Sequence, residues 1–198
     1  MTAALSAAEL AHFVAALRAG GVVACATETL FGLLADALDE SAVERVCALK
    51  GRDPEQPIAV LLPDAAALAQ VAETVPERVK RLAERHWPGP LTLLVPARAG
   101  LPSGLTKHGK IGVRVPGPSP ALELVRAFGG PLTATSANRT GQPAARTAAE
   151  VDAAFPSGLA GRIALPAPGG LPSSIIDVTG PTPVILRAGA IALSLDEL

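Results

Sequence analysis

Lys50 and Arg52 lie two residues apart, and Ser136 and Asn138 repeat that spacing inside Thr135-Ser136-Ala137-Asn138-Arg139-Thr140-Gly141. Two cations and a hydroxyl–amide pair are the side chains that a phosphate-bearing anion calls for. Arginine grips a phosphate with a planar fork, and lysine adds a compact charge. Serine and asparagine supply short, directional hydrogen bonds that fix orientation. The pattern suits a polyanion held in a cleft. Each pair also has a purely structural use. A cation at a helix end is favoured by the helix dipole, and Ser136 with Asn138 serves equally well to close a turn before Gly141.

Other chemistries have little support. Neither Gly-x-x-x-x-Gly-Lys-Ser/Thr nor Gly-x-Gly-x-x-Gly occurs, so a P-loop and a dinucleotide fold are not indicated. His12, His86 and His108 are scattered without metal-ligand spacing. No Ser–His–Asp or Cys–His arrangement stands out. Cys25 and Cys47 sit in apolar stretches and read as small buried hydrophobes. Two such cysteines make neither a disulfide framework nor a metal site, as expected of a reducing cytoplasm. The net charge of −1 gives no global basic field for nucleic acid. The start of the chain lacks a basic region followed by a long apolar core, and no apolar run reaches the roughly 18 residues of a membrane span. What remains is phosphate binding without a standard motif.

The elements that must position these groups alternate along the chain. Its 198 residues fit a single domain, 1–198, at roughly 100–200 residues per domain, and 49% apolar content supports a sizeable core. Ser6 with Glu9 forms a capping box for a helix that Gly20-Gly21 ends. Residues 21–26 read as a buried strand. A second helix starts near Ser41 and has Gly51 just past its end, which puts Lys50 and Arg52 at a helix-to-loop junction. Strands are expected at 57–62, 91–95, 111–115, 132–135, 175–178 and 184–186. Helices are expected at 64–72, 76–86 and 119–128, and after the capping pair Thr147 and Glu150. The fold class is α/β: a twisted mixed sheet with flanking helices and a concave cleft, the close spacing of the last strands implying some antiparallel pairing. The Pro- and Gly-rich stretch 166–173 reads as a flexible loop, a lid or an internal linker.

Several blocks in order carry a family resemblance. They are Ala26-Thr27-Glu28-Thr29-Leu30-Phe31-Gly32-Leu33, Ala48-Leu49-Lys50-Gly51-Arg52, Trp87-Pro88-Gly89-Pro90-Leu91-Thr92 and Ile111-Gly112-Val113-Arg114-Val115-Pro116, followed by Ala134-Thr135-Ser136-Ala137-Asn138, Ser173-Ser174-Ile175-Ile176-Asp177 and Ile185-Leu186-Arg187-Ala188-Gly189-Ala190-Ile191. Each block alone is weak; together, in this order, they cover nearly the whole chain. The chain resembles the YrdC/TsaC family of threonylcarbamoyl-AMP synthases, in its short, single-domain form. The resemblance implies a YrdC-like fold in the cytoplasm. It also implies formation of threonylcarbamoyl-AMP and pyrophosphate from L-threonine, bicarbonate or CO2, and ATP. Partner proteins then use the adenylate to modify a tRNA adenosine, with weak tRNA contact a further possibility.

The resemblance also implies roles. Lys50 and Arg52 neutralise ATP phosphates and are the catalytic pair. Ser136 and Asn138 bind the nucleotide from the facing wall, and Arg187, Thr92 and Gln56 join them around ATP. Arg114 takes the threonine carboxylate, with Thr29 and Ser174 lining the threonine pocket. Mg2+ is carried on the ATP phosphates, and no metal site belongs to the protein itself. Structural alternatives stand beside these roles: Arg114 snorkelling along the sheet, Thr29 as an ordinary strand residue, and Arg187 paired with Asp177. The chain departs from the family at Ala26, Asp53 and Ala188, where proline is usual, and at Phe31, where tyrosine is common. Leu61 or Leu62 stands where some relatives carry a polar residue. These changes leave the phosphate-binding cations in place and bear on the finer contacts to threonine. Two other functions fit less of the pattern: an RNA-binding or ribosome-assembly module, disfavoured by 3% aromatic content, and a carbamoyl-transfer domain of the hydrogenase-maturation kind.

Overall fold

Local signals set the first helix. Ser6 accepts the Glu9 N–H, and the Glu9 carboxylate returns to the Ser6 backbone, so the capping box is complete. The computed structural model describes residues 5–53 and 56–193; residues 1–4, read above for a targeting signal, and the ends of the expected 1–198 domain lie outside them. The chain runs α1 (Ala7–Arg18), β1 (Val23–Ala26), β2 (Phe31–Leu34), α2 (Glu40–Lys50), β3 (Ala59–Leu61), α3 (Leu68–Val71), α4 (Glu77–His86) and β4 (Leu91–Pro96). It continues β5 (Thr106–Lys107), β6 (Lys110–Arg114), α5 (Pro120–Phe128), β7 (Leu132–Ser136), α6 (Ala148–Ala154), β8 (Gly161–Arg162), β9 (Ser174–Asp177) and β10 (Val184–Arg187).

The strands form one mixed sheet in the order β10-β9-β4-β6-β3-β7-β2-β1-β8, with β5 paired to β6. β1–β8, β3–β6 and β4–β9 are parallel; the other pairs are antiparallel, including the closely spaced β9 and β10. Side chains alternate between the faces. Leu91, Leu93 and Val95 of β4 and Ile111 and Val113 of β6 are buried on one face. α4 packs on β4, while α1 and α5 pack on each other and on β1. Thr92, Arg114 and Ile175, of opposite parity, face a cleft on the other side.

Four elements differ from the sequence expectation: the two-residue strands β5 and β8, too short to leave a periodic signal, and β2 and α3. β2 had no turn signal before it. The chain reverses at Thr27–Leu30 through the Thr27 hydroxyl, which accepts the N–H groups of Thr29 (3.1 Å) and Leu30 (3.2 Å) in place of a glycine turn. The helix expected over 64–72 shrinks to α3. Asp64 caps a turn by accepting the Ala67 N–H, and Ala72 leaves the helix to bridge Ala97.

The Pro- and Gly-rich stretch proves to be a crossing. β8 lies at one edge of the sheet and β9 next to the other. Gly169 donates its N–H to Thr29 O (2.9 Å), and Pro172 and Ser173 line the cleft, so the crossing runs on the cleft side.

Candidate functional site

The cleft has a volume of about 430 Å³. One end is built where α2 stops. Gly51 adopts the left-handed conformation (φ 59°, ψ 40°), with Gly51 N–H to Ala48 O and Arg52 N–H to Cys47 O closing a Schellman turn. That reversal sends Lys50 inward and Arg52 outward. Lys50 is buried, at 2% exposure. Its ammonium donates to Ser136 O (2.5 Å), Asn138 O (2.8 Å) and Asn138 Oδ1 (3.1 Å). Ser136 Oγ also donates to Asn138 Oδ1 (2.5 Å), and Asn138 Nδ2 donates to Arg139 O and Gln142 O. The two polar stations of the sequence are thus wired into one wall, not set across the cavity from each other. Arg52 emerges onto the cleft and holds the next loop through Gln56 O (2.8 Å) and Pro57 O (3.0 Å).

The other end rests on β4, β6, β9 and β10. The β10 register pairs Val184 with Asp177 and Ile185 with Ile176, then slips so that Arg187 stands opposite Ile175. Without that bulge Leu186 would take the position, and Arg187 would turn to the opposite face. The bulge aims Arg187 at the cleft, where Nε donates to Ser173 O (2.8 Å) and Nη2 to Ser173 Oγ (3.0 Å). Ser173 Oγ lies 2.9 Å from Thr92 Oγ1. Asp177 instead pairs with Lys110 (2.6 Å) and Thr179, so the Arg187–Asp177 pair does not form. Arg114 is buried on β6 with its guanidinium at the cleft, and its polar partner among the described residues is Glu28, Nη1 to Oε1 at 3.5 Å. Thr27 and Thr29, their hydroxyls 3.0 Å apart, line the cleft from the β1–β2 reversal.

The electrostatics are cationic throughout. Arg52, Arg114 and Arg187 line the cleft, and none of its described lining residues is a carboxylate or a histidine. Burial pulls the Lys50 ammonium down from lysine's ordinary 10.5 to about 8, and the charge on Arg52 adds to that fall. Burial also lowers the guanidinium pKa of Arg52, Arg114 and Arg187; Glu28 opposes the effect at Arg114, and Arg114 reinforces it at Arg187. Such a lining attracts anions and offers a divalent ion no protein carboxylate.

Of the residues singled out from sequence, Arg52, Ser136, Asn138, Thr92, Arg187, Thr29 and Arg114 line this cleft together. Lys50 stands behind the wall, touching it from inside. Gln56 is exposed and contributes its backbone carbonyl to Arg52. Ser174 points away: its hydroxyl donates to Ile191 O (2.6 Å) and accepts the N–H groups of Gly189 and Ile191. Sequence reasoning passed over Thr27 and Ser173. Strand alternation was the available signal for Ser173, because buried Ile176 puts Ser174 on the core face and Ser173 on the other.

The comparisons with known proteins follow this geometry. The Sua5/YciO/YrdC family model, whose description reads telomere recombination, matches residues 15–189. A threonylcarbamoyl-AMP synthase of Pyrococcus abyssi is 37% identical over 183 residues, covering 89% of this chain and 53% of the relative. One from Bacillus subtilis is 34% identical over 186 residues, covering 92% of this chain and 54% of the relative. The chain thus spans about half the length of these curated relatives. The structure of P. abyssi Sua5 complexed with L-threonine superposes with a TM-score of 0.88 at 35% identity, over 93% of this chain and 55% of that one. No described helix is long and apolar enough to cross a membrane.

Proposed function

The chain belongs to the Sua5/YciO/YrdC family, and from that premise we propose that it is a threonylcarbamoyl-AMP synthase working as one domain. L-Threonine, CO2 or bicarbonate, and ATP would give the adenylate and pyrophosphate. The amine of threonine captures CO2 as a carbamate and loses a proton. A carbamate oxygen attacks the α-phosphorus, and the bond to pyrophosphate breaks. This chemistry asks for positioning and charge neutralisation more than for a covalent nucleophile.

One observation carries the reading: a single cleft holds three arginines, split between two differently built ends, together with the hydroxyls of Thr27, Thr29 and Thr92. In this reading Arg52 receives the phosphates, Ser136 and Asn138 join it by turning their donors from each other and from Arg139 O and Gln142 O to the nucleotide, and Lys50 fixes the wall they stand on. Arg187, held by Ser173 and backed by Thr92, meets the nucleotide from the far side, and Gln56 acts through its carbonyl on Arg52. Arg114 receives the threonine carboxylate beside Thr29. Ser174 secures the chain behind β9. Mg2+ would be held by the nucleotide's phosphate oxygens, with hydroxyl and amide groups alongside. The adenylate would pass to a protein that attaches the threonylcarbamoyl group to tRNA.

The test is pyrophosphate release with the product's mass measured. Release that requires L-threonine, bicarbonate and ATP together, with a threonylcarbamoyl-AMP mass, is the expected result. Release independent of threonine, or activity with carbamoyl phosphate in place of threonine and bicarbonate, would overturn the reading.

A further inference from the structure

Arg114 is held unlike the other two cleft arginines. Arg52 and Arg187 are each anchored by two hydrogen bonds. Arg114 makes no side-chain hydrogen bond among the described residues; its partner is the Glu28 carboxylate at 3.5 Å, an ion pair longer than a hydrogen bond. Both Glu28 oxygens are sealed from solvent without a hydrogen-bond donor. The side chain is boxed in from behind: a Cβ built on Gly117 would stand 3.1–3.6 Å from Glu28 Cγ, Cβ and Cδ. Glu28 itself does not line the cleft, although Thr27 and Thr29 on either side do. A buried carboxylate without hydrogen bonds is costly to keep, so its place behind a cleft-facing guanidinium calls for a functional explanation.

We propose that Glu28 is a positioning and specificity-determining residue, whose fixed negative charge behind Arg114 makes that end of the cleft accept a single carboxylate and reject a phosphate. The inference rests on the reading of Arg114 as the receptor of the threonine carboxylate. The same ligand ATP brings phosphates into the cleft, so an undiscriminating cation at Arg114 would also draw phosphate or pyrophosphate into the amino-acid subsite. Alone, Arg114 would attract a phosphate dianion about twice as strongly as a carboxylate; the Glu28 charge 3.5 Å away cancels much of that field and removes the dianion's advantage, which leaves the planar two-oxygen fit of a carboxylate to decide.

Calorimetric titration of L-threonine, with and without excess inorganic phosphate, tests this. In the native protein the threonine affinity is expected to be little changed by phosphate. In Glu28→Gln, phosphate is expected to weaken threonine binding by about tenfold. Phosphate that displaces threonine from the native protein overturns the proposal, and this arm needs no variant should Glu28→Gln fail to fold. Equal insensitivity to phosphate in a folded Glu28→Gln protein also overturns it. Native protein that binds no L-threonine in either buffer sinks the substrate reading itself, an outcome distinct from threonine binding without the phosphate effect. Loss of packing alone would weaken threonine binding equally in both buffers, so the phosphate dependence isolates the charge.

Discussion

The two ends of the cleft are finished to different degrees. At the Lys50 end the ammonium, the Ser136 hydroxyl and both atoms of the Asn138 amide already have partners. At the Arg114 end the guanidinium faces the cleft with one distant carboxylate behind it. The first end is a wall whose shape is fixed before any ligand arrives, its side-chain donors turned to protein acceptors and Arg52 standing on it at the cleft. The second keeps its donors in reserve for a planar, bidentate acceptor. Damage to the first end should therefore reach the chemistry and the fold together, whereas damage to Arg114 should reach the binding of one substrate.

The largest effect is expected from Lys50→Met. It strands Ser136 O, Asn138 O and Asn138 Oδ1, so stability should fall by about 1–3 kcal/mol, and pyrophosphate release by roughly a hundredfold or more. A pH series sharpens the point. With its pKa depressed to about 8 in the fold, Lys50 loses its proton above that pH, and activity should decline there. An unfolded lysine keeps its proton up to its ordinary 10.5. Between the two values the unfolded state binds more protons, so this group makes stability rise with pH. Activity falling while Lys50's contribution to Tm rises, with that contribution absent from Lys50→Met, is the expected pair of curves. Native and variant proteins with the same pH dependence of Tm would refute it.

Arg114→Gln comes next. Removing a buried cation from a charge pair costs about 2 kcal/mol, or roughly thirtyfold, in the affinity it served. KM for threonine should rise by that factor while KM for ATP stays within about twofold. Steady-state kinetics with each substrate varied in turn measures both. A comparable rise in both KM values would mean that the two ends do not act separately.

Local signals made much of the fold legible. The capping boxes at Ser6–Glu9 and Thr147–Glu150, the helix stop at Gly51 and most apolar strands needed only neighbouring residues. β2 stayed hidden because a threonine hydroxyl, not a glycine, makes its turn. At the site, residue types and spacing were legible but directions were not. Whether Lys50 faces solvent, ligand or wall depends on β7 returning 86 residues later to present Ser136 O. The aim of Arg187 depends on one bulge in β10. Glu28 read as part of a motif, and only the arrival of β6 behind the β1–β2 reversal reveals its partner.

The finest version of the comparison lies within two adjacent residues. Ser173 and Ser174 are chemically identical and buried, yet strand alternation turns them to opposite faces. Ser173 steadies Arg187 and Thr92 at the cleft. Ser174 holds Gly189 and Ile191, and so the chain that follows β10. Ser174→Ala leaves two N–H groups and one carbonyl without their hydroxyl, and should lower stability by about 1–2 kcal/mol with substrate affinities unchanged. Ser173→Ala loosens a side chain that Arg187 still reaches through the backbone carbonyl, so the stability change should be smaller. ATP affinity should drop by roughly fivefold, corresponding to about 1 kcal/mol. Thermal denaturation and nucleotide titration of the two variants separate the roles. Should both variants move the same quantity, the two faces of β9 would be coupled, and the cleft could not be treated as a unit distinct from the scaffold behind it.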